Sequence, residues 1–154
     1  MEVLFHESVE DKLIEYAVII ARYRGRFVYC KHWKRSTYEI PGGHREDGET
    51  IEQAARRELF EETGAKKYSL APVCVYSVKD DDGESFGMLY YAEVEEFATK
   101  LDSEIEKVYF LDDHPQKQTY PEIQPLLVKE AERRGFIKYE KIKVTSEIPF
   151  SEMP

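Results

Sequence analysis

Residues 43 to 65, Gly-His-Arg-Glu-Asp-Gly-Glu-Thr-Ile-Glu-Gln-Ala-Ala-Arg-Arg-Glu-Leu-Phe-Glu-Glu-Thr-Gly-Ala, constrain this chain more than any other stretch. They read as a loop that becomes a helix. Thr50 is a good N-cap, and Gln53, three residues on, completes a capping box. From Ile51 to Thr63 most residues are helix formers, without Gly or Pro. Gly64 supplies a left-handed stop.

The carboxylates on that helix carry chemistry. At about 100° per residue, Glu58 and Glu62 flank the direction set by Ile51, Ala54 and Ala55. Glu61 lies roughly 60° further round. Three carboxylates at i, i+3 and i+4 are thus expected on one sheet-facing stripe. Like charges so spaced repel, and partial burial adds to the cost. A hard divalent cation removes the conflict, since Mg²⁺ or Mn²⁺ takes carboxylate oxygens and keeps room for a phosphate. The competing reading is an acidic, solvated helix face.

The whole spacing weighs against that bland reading. Gly43, five residues, Glu49, seven residues, then Arg57-Glu58-Leu59-Phe60-Glu61-Glu62-Thr63-Gly64 resembles the box of the Nudix family. One departure is Ala65, where the family prefers a larger aliphatic residue. The resemblance covers residues 38 to 65 tightly and the rest in outline. It implies an α/β fold, an α/β/α sandwich with a mixed sheet, over 1–154 as a single domain. It implies metal binding by Glu58, Glu61, Glu62 and the Gly42 carbonyl, with Mg²⁺ as the cofactor and Mn²⁺ as a substitute. It implies that Arg57 and Glu49 pair and orient helix and loop, as an Arg fork on a carboxylate would. A fourth carboxylate from a later strand often completes such sites; Glu104 is the first candidate and Glu106 the second. Glu61 or the later Glu would accept a proton from the attacking water.

Composition bounds the partners. A net charge of -9, from 31 acidic and 22 basic residues, opposes bulk attraction to nucleic acid or an anionic membrane. A phosphate-bearing substrate then needs local positive charge. Lys31 to Ser36, with Trp33, is a basic loop in an acidic protein. Trp33 is placed to stack on a base, and Lys31, Lys34 or Arg35 to hold phosphate; an ordinary polar loop with Trp33 capping the core is the alternative. Tyr38 and Glu39, just before Pro41-Gly42-Gly43, join the expected substrate-binding set. Cys30 and Cys74 sit in apolar contexts and read as reduced thiols of a cytoplasmic protein. The longest apolar run, Tyr16 to Ala21, is too short to span a bilayer, and residues 1 to 10 carry no signal-peptide core.

Along the chain, strands are expected at Tyr16 to Tyr23, Phe27 to Lys31, Tyr38 to Ile40, Tyr68 to Val78, Phe86 to Val94 and Glu104 to Leu111. Arg24-Gly25-Arg26 reads as a hairpin turn, and Asp82-Gly83 as a type I′ turn. Pro41-Gly42-Gly43 reads as a sharp turn with close backbone approach to a ligand. A last helix is expected from Pro121, with Ile123, Leu126, Leu127 and Ala131 inward, ending at Gly135. Residues 1 to 14 are unassigned, and 136–154 read as a tail that adds a strand or packs along an edge.

The expected function is metal-dependent hydrolysis of a nucleoside diphosphate linked to some group, foremost a nucleoside triphosphate, oxidised or not, cleaved to monophosphate and pyrophosphate. The partner is then a small nucleotide, and the protein a monomer or homodimer. The alternatives are an ADP-ribose or dinucleoside polyphosphate hydrolase, or a non-catalytic nucleotide sensor. Downstream markers known in some subfamilies, a Pro for ADP-ribose or a Tyr for dinucleotides, would fall at Asp80 and Asp81, and neither is present.

Overall fold

The computed structural model describes residues 1–98 and 105–138. Seven strands form one sheet: β1 (Glu2–His6), β2 (Ile14–Tyr23), β3 (Arg26–His32), β4 (Gly42–His44), β5 (Ala65–Asp80), β6 (Gly83–Phe97) and β7 (Ile105–Leu111). Their order is β1-β5-β6-β2-β3-β7, with β4 paired to β2. The central pair β2 and β6 is parallel and the other pairs are antiparallel, so the sheet is mixed.

Two helices cover the two faces. Strand alternation sends Ile19 and Val28 to one side, where they meet Ala54, Ala55 and Leu59 of α1 (Ile51–Thr63). Ile20, Phe27 and Tyr29 point the other way, towards Leu127, Val128 and Ala131 of α2 (Gln124–Arg133). The result is the α/β/α sandwich. Leu59 is fully buried, and truncating it to Ala would cost about 2–5 kcal/mol.

α1 starts and stops as its residues dictate. The Thr50 side chain accepts from Gln53 N, Thr50 N donates to Gln53 Oε1, and Gly64 takes φ 75°. Replacing such a cap by Ala costs about 1 kcal/mol. Ala65 is buried at the foot of the helix, so its small side chain is accommodated within the core. The β2–β3 hairpin turns at Arg24 (φ 50°) and Gly25 (φ 78°), as a type I′ turn requires.

Several expectations are corrected. Within residues 1 to 14, unassigned from the sequence, Glu2–His6 forms a strand and Asp11–Leu13 a short 3-10 turn. Tyr38 and Glu39 make only isolated bridges, to Gln118 and Cys30, and the regular strand comes later, at Gly42–His44. No sharp turn occurs at those glycines, because they pair with Val18 and Ala17. The β5–β6 turn is Asp81-Asp82, without positive φ at either residue, and Asp80 Oδ1 accepts from Asp82 N at 2.9 Å. That local carboxylate bond replaces the left-handed pair a type I′ turn would need. The last helix begins at Gln124 with Pro125 in its first turn; Leu126 is exposed, and Val128 takes its place inward. Glu104 and residues 139–154, with the tail's expected strand, lie outside the described residues.

Candidate active site

α1 packs against β2 and β4, and this contact gathers the acidic residues. Arg57 is the hub. Its Nε and Nη2 form a two-pronged contact with Glu49, at 2.6 and 2.9 Å. Its Nη1 reaches Glu58 Oε1 at 2.7 Å and Glu61 Oε2 at 3.2 Å, while Nη2 also donates to the His44 carbonyl at 2.9 Å. One guanidinium thus ties the loop, β4 and two carboxylates of α1 together. The Arg57 fork, with the Glu46 N–H, holds the Glu49 carboxyl down at about 2, and Glu49 first and then Glu58 raise the Arg57 pKa.

Glu62 sits differently. Burial and then the neighbouring Glu58 carboxyl push it up to about 9. Its Oε2 accepts from Gly42 N at 3.3 Å and from the Cys30 thiol at 3.4 Å. Among the described residues, no Lys or Arg forms an ion pair with it. Burial, followed by Glu62, drives the Cys30 thiol well above its ordinary pKa, so it is a neutral donor.

The glycines serve close approach. A Cβ on Gly42 would lie 2.5 Å from the Ala17 carbonyl oxygen, and one on Gly43 would lie 2.4 Å from the Glu58 carboxyl carbon. β4 is therefore pressed against β2 on one side and against Glu58 on the other.

The three helix carboxylates do not share one buried stripe. Glu58 is 13% exposed at its side chain and Glu61 is 51% exposed. α1 buries Ala54, Ala55, Leu59 and Thr63, which leaves Glu58 and Glu62 at the edge of the interface and Glu61 beyond it. A half-buried carboxyl without a cationic partner among the described residues, set against a second carboxyl, fits a hard divalent cation better than it fits water. Ligand atoms of Cys30, Glu39 and Glu62 also lie within 4.8 Å of one another, a further group able to hold a metal.

A cavity of about 360 Å³ opens on the α2 face of the sheet and reaches Gly42 and Gly43. Tyr16, His44, Tyr76, Tyr120 and Gln124 line it, and so does Glu39. Arg35 stands at its rim, joined to Glu39 at 3.3 Å; the Tyr120 hydroxyl, then Glu39, raise the Arg35 pKa. Lys31, Trp33 and Tyr38 do not line it. Lys31 Nζ is sandwiched between the rings of Tyr38 and Tyr109, at 4.2 and 4.9 Å, and Trp33 is 55% exposed with Lys34 over its ring. The aromatic cavity had no local signal in the sequence, since Tyr16 and Tyr76 are also ordinary strand residues.

A NUDIX-domain family model matches residues 12–133. The chain belongs to the NUDIX family. YtkD of Bacillus subtilis (strain 168), a candidate 8-oxo-dGTP diphosphatase, is 36% identical over 84 residues, 54% of this chain and 52% of that protein. An RNA pyrophosphohydrolase of Baumannia cicadellinicola is 37% identical over 49 residues, 32% of this chain and 31% of that one. This NUDIX chain therefore spans about half or less of the length of those curated relatives. The crystal structure of the Bacillus subtilis pyrophosphohydrolase BsRppH superposes with a TM-score of 0.74 at 24% identity, covering 88% of this chain and 93% of that one. At that identity the likeness shows the NUDIX fold alone. No helix among the described residues is long and apolar enough to cross a membrane.

Proposed function

We propose that this NUDIX chain hydrolyses a phosphoanhydride in a nucleoside triphosphate, yielding a nucleoside monophosphate and pyrophosphate, with a divalent cation as cofactor. The observation that carries this reading is continuity. Gly42 and Gly43 touch the glutamate cluster on one side and line the aromatic cavity on the other. A base in the cavity would bring its own phosphates to the carboxylates. The likeness to YtkD supports a triphosphate over other diphosphate-containing molecules.

Gly42 through its carbonyl, Glu58, Glu61 and Glu62 would hold the cation, Mg²⁺ or Mn²⁺, which when bound polarises a phosphoryl oxygen. Arg57 keeps Glu58 and Glu61 in register with Glu49 and the His44 carbonyl. Glu61 is half exposed, and among the described residues only its Oε2 is bonded, to Arg57, so its other oxygen suits accepting a proton from an attacking water. Arg35 at the rim, beside Glu39 and Tyr120, suits an outer phosphate. The deciding measurement is kcat/KM across dGTP, 8-oxo-dGTP, ATP, ADP-ribose, diadenosine tetraphosphate and a 5′-triphosphorylated RNA oligonucleotide, each with Mg²⁺ and Mn²⁺. A triphosphate should lead. If ADP-ribose, the dinucleotide or the RNA leads by about tenfold or more, roughly 1.4 kcal/mol of transition-state preference, the triphosphate reading is wrong.

A further inference from the structure

The cavity has one polar group whose direction is set by the fold. Gln124 opens α2 and is 5% exposed. Its Oε1 accepts from the Ile40 N–H at 2.8 Å. A backbone N–H needs an acceptor, so the amide oxygen faces Ile40 and Nε2 faces the other way. Among the described residues the side chain's hydrogen bond is the one through Oε1, Nε2 is not a sealed, unsatisfied atom, and Gln124 lines the cavity. Its open end is thus a donor without acceptor capacity.

The surroundings suit a flat ring. Tyr76 pairs with Gly87 across β5 and β6. A Cβ on Gly87 would lie 2.5 Å from the Tyr76 ring, so the glycine is what lets that ring lie across β6. The ring forms a floor beneath the cavity. Tyr16 and His44, edge to face at 4.8 Å, form a wall. A floor, a wall and about 360 Å³ of space accommodate a purine with its sugar.

We propose that Gln124 reads the carbonyl of a 6-oxopurine, so the cavity prefers guanine-type and hypoxanthine-type nucleotides to 6-aminopurines. This rests on the reading of the cavity as the nucleotide's seat. The Gln124 N–H meets an acceptor in the oxo base. In adenine it meets another N–H, and both donors are left unpaired away from water. A site built to bond a group discriminates strongly against its absence or reversal. The held oxygen prevents the amide from flipping to suit adenine, because flipping would strip Ile40 of its acceptor.

The test compares inosine and adenosine 5′-monophosphates, whose bases differ at position 6 and in the N1 proton, by NMR titration at pH 8. These probes contain no anhydride, so the result does not depend on which bond is cut or whether any is. The wild type should bind the inosine compound about tenfold tighter. Gln124→Leu should bring the ratio within about threefold by weakening that compound alone. Gln124→Glu keeps an oxygen for Ile40 and should also lose the preference, which covers the case in which the Leu variant does not fold. Equal binding by the wild type, no binding below about 10 mM, or a preference that survives in a folded variant overturns the inference. A protein that prefers the inosine compound yet hydrolyses no triphosphate would keep this inference and lose the proposed reaction.

Discussion

Gly43 and Glu58 share one volume: the Cβ that any other residue would place at position 43 falls 2.4 Å from the Glu58 carboxyl carbon and Oε1. The obstructing group is the end of a flexible side chain, so Gly43→Ala can fold by displacing Glu58. Turnover should fall by about a hundredfold, the scale of losing one positioned electrostatic group. The melting temperature should stay within a few degrees. Wild-type turnover in the variant would show that the Glu58 position does not matter to the reaction.

Removing carboxylates should separate activity from stability. Glu58→Gln and Glu62→Gln should each lower turnover by orders of magnitude, while the metal-free melting temperature holds or rises as repulsion is relieved. Mg²⁺ should raise the melting temperature of the wild type more than that of the double variant. Equal shifts would remove the cation from this cluster.

The metal-free protein should lose stability at both ends of the pH scale. The folded Glu62 carboxyl is raised from 4.5 to about 9, so it binds a proton the unfolded chain has released. Its contribution is complete below about 4.5 and lost as pH climbs towards 9. Glu49 behaves oppositely: lowered from 4.5 to about 2, it contributes above 4.5 and the contribution is lost as pH falls towards 2. Thermal melts from pH 3 to 9 in a chelator read both limbs. Glu62→Gln should flatten the alkaline limb only. An unchanged alkaline slope in that variant would place the titrating group elsewhere.

Arg57→Lys is not conservative here, because one ammonium cannot span Glu49, Glu58, Glu61 and the His44 carbonyl. It should lower kcat about tenfold to a hundredfold with a small change in KM. A pure KM effect would instead make Arg57 a substrate-binding group.

Around the cavity, Tyr120→Ala and Arg35→Ala should raise KM more than they lower kcat. Trp33→Ala should change KM less than either, because Trp33 is exposed and is not among the lining residues. A larger KM rise for Trp33→Ala than for Tyr120→Ala would return the base to the basic loop.

Local physics was legible in the chain as written. The capping box at Thr50 and Gln53, the Gly64 stop and the β2–β3 hairpin depend on residues near one another, so spacing alone specified them. The box spacing likewise pointed to the family and to an Arg57–Glu49 pair. What only the tertiary structure decided was distance across the chain. The cavity joins β2, β5 and the start of α2, and Ile40 meets Gln124 across 84 positions. Cys30 reaches Glu62 because β3 and α1 pack together, Tyr38 and Glu39 become bridges because Gln118 and Cys30 lie beside them, and Gly42–His44 become a strand because β2 offers its edge. Helical geometry placed three glutamates on one side of a cylinder. The depth of the neighbouring sheet decided that Glu58 and Glu62 are half-buried at the edge of the interface while Glu61 stays half in solvent.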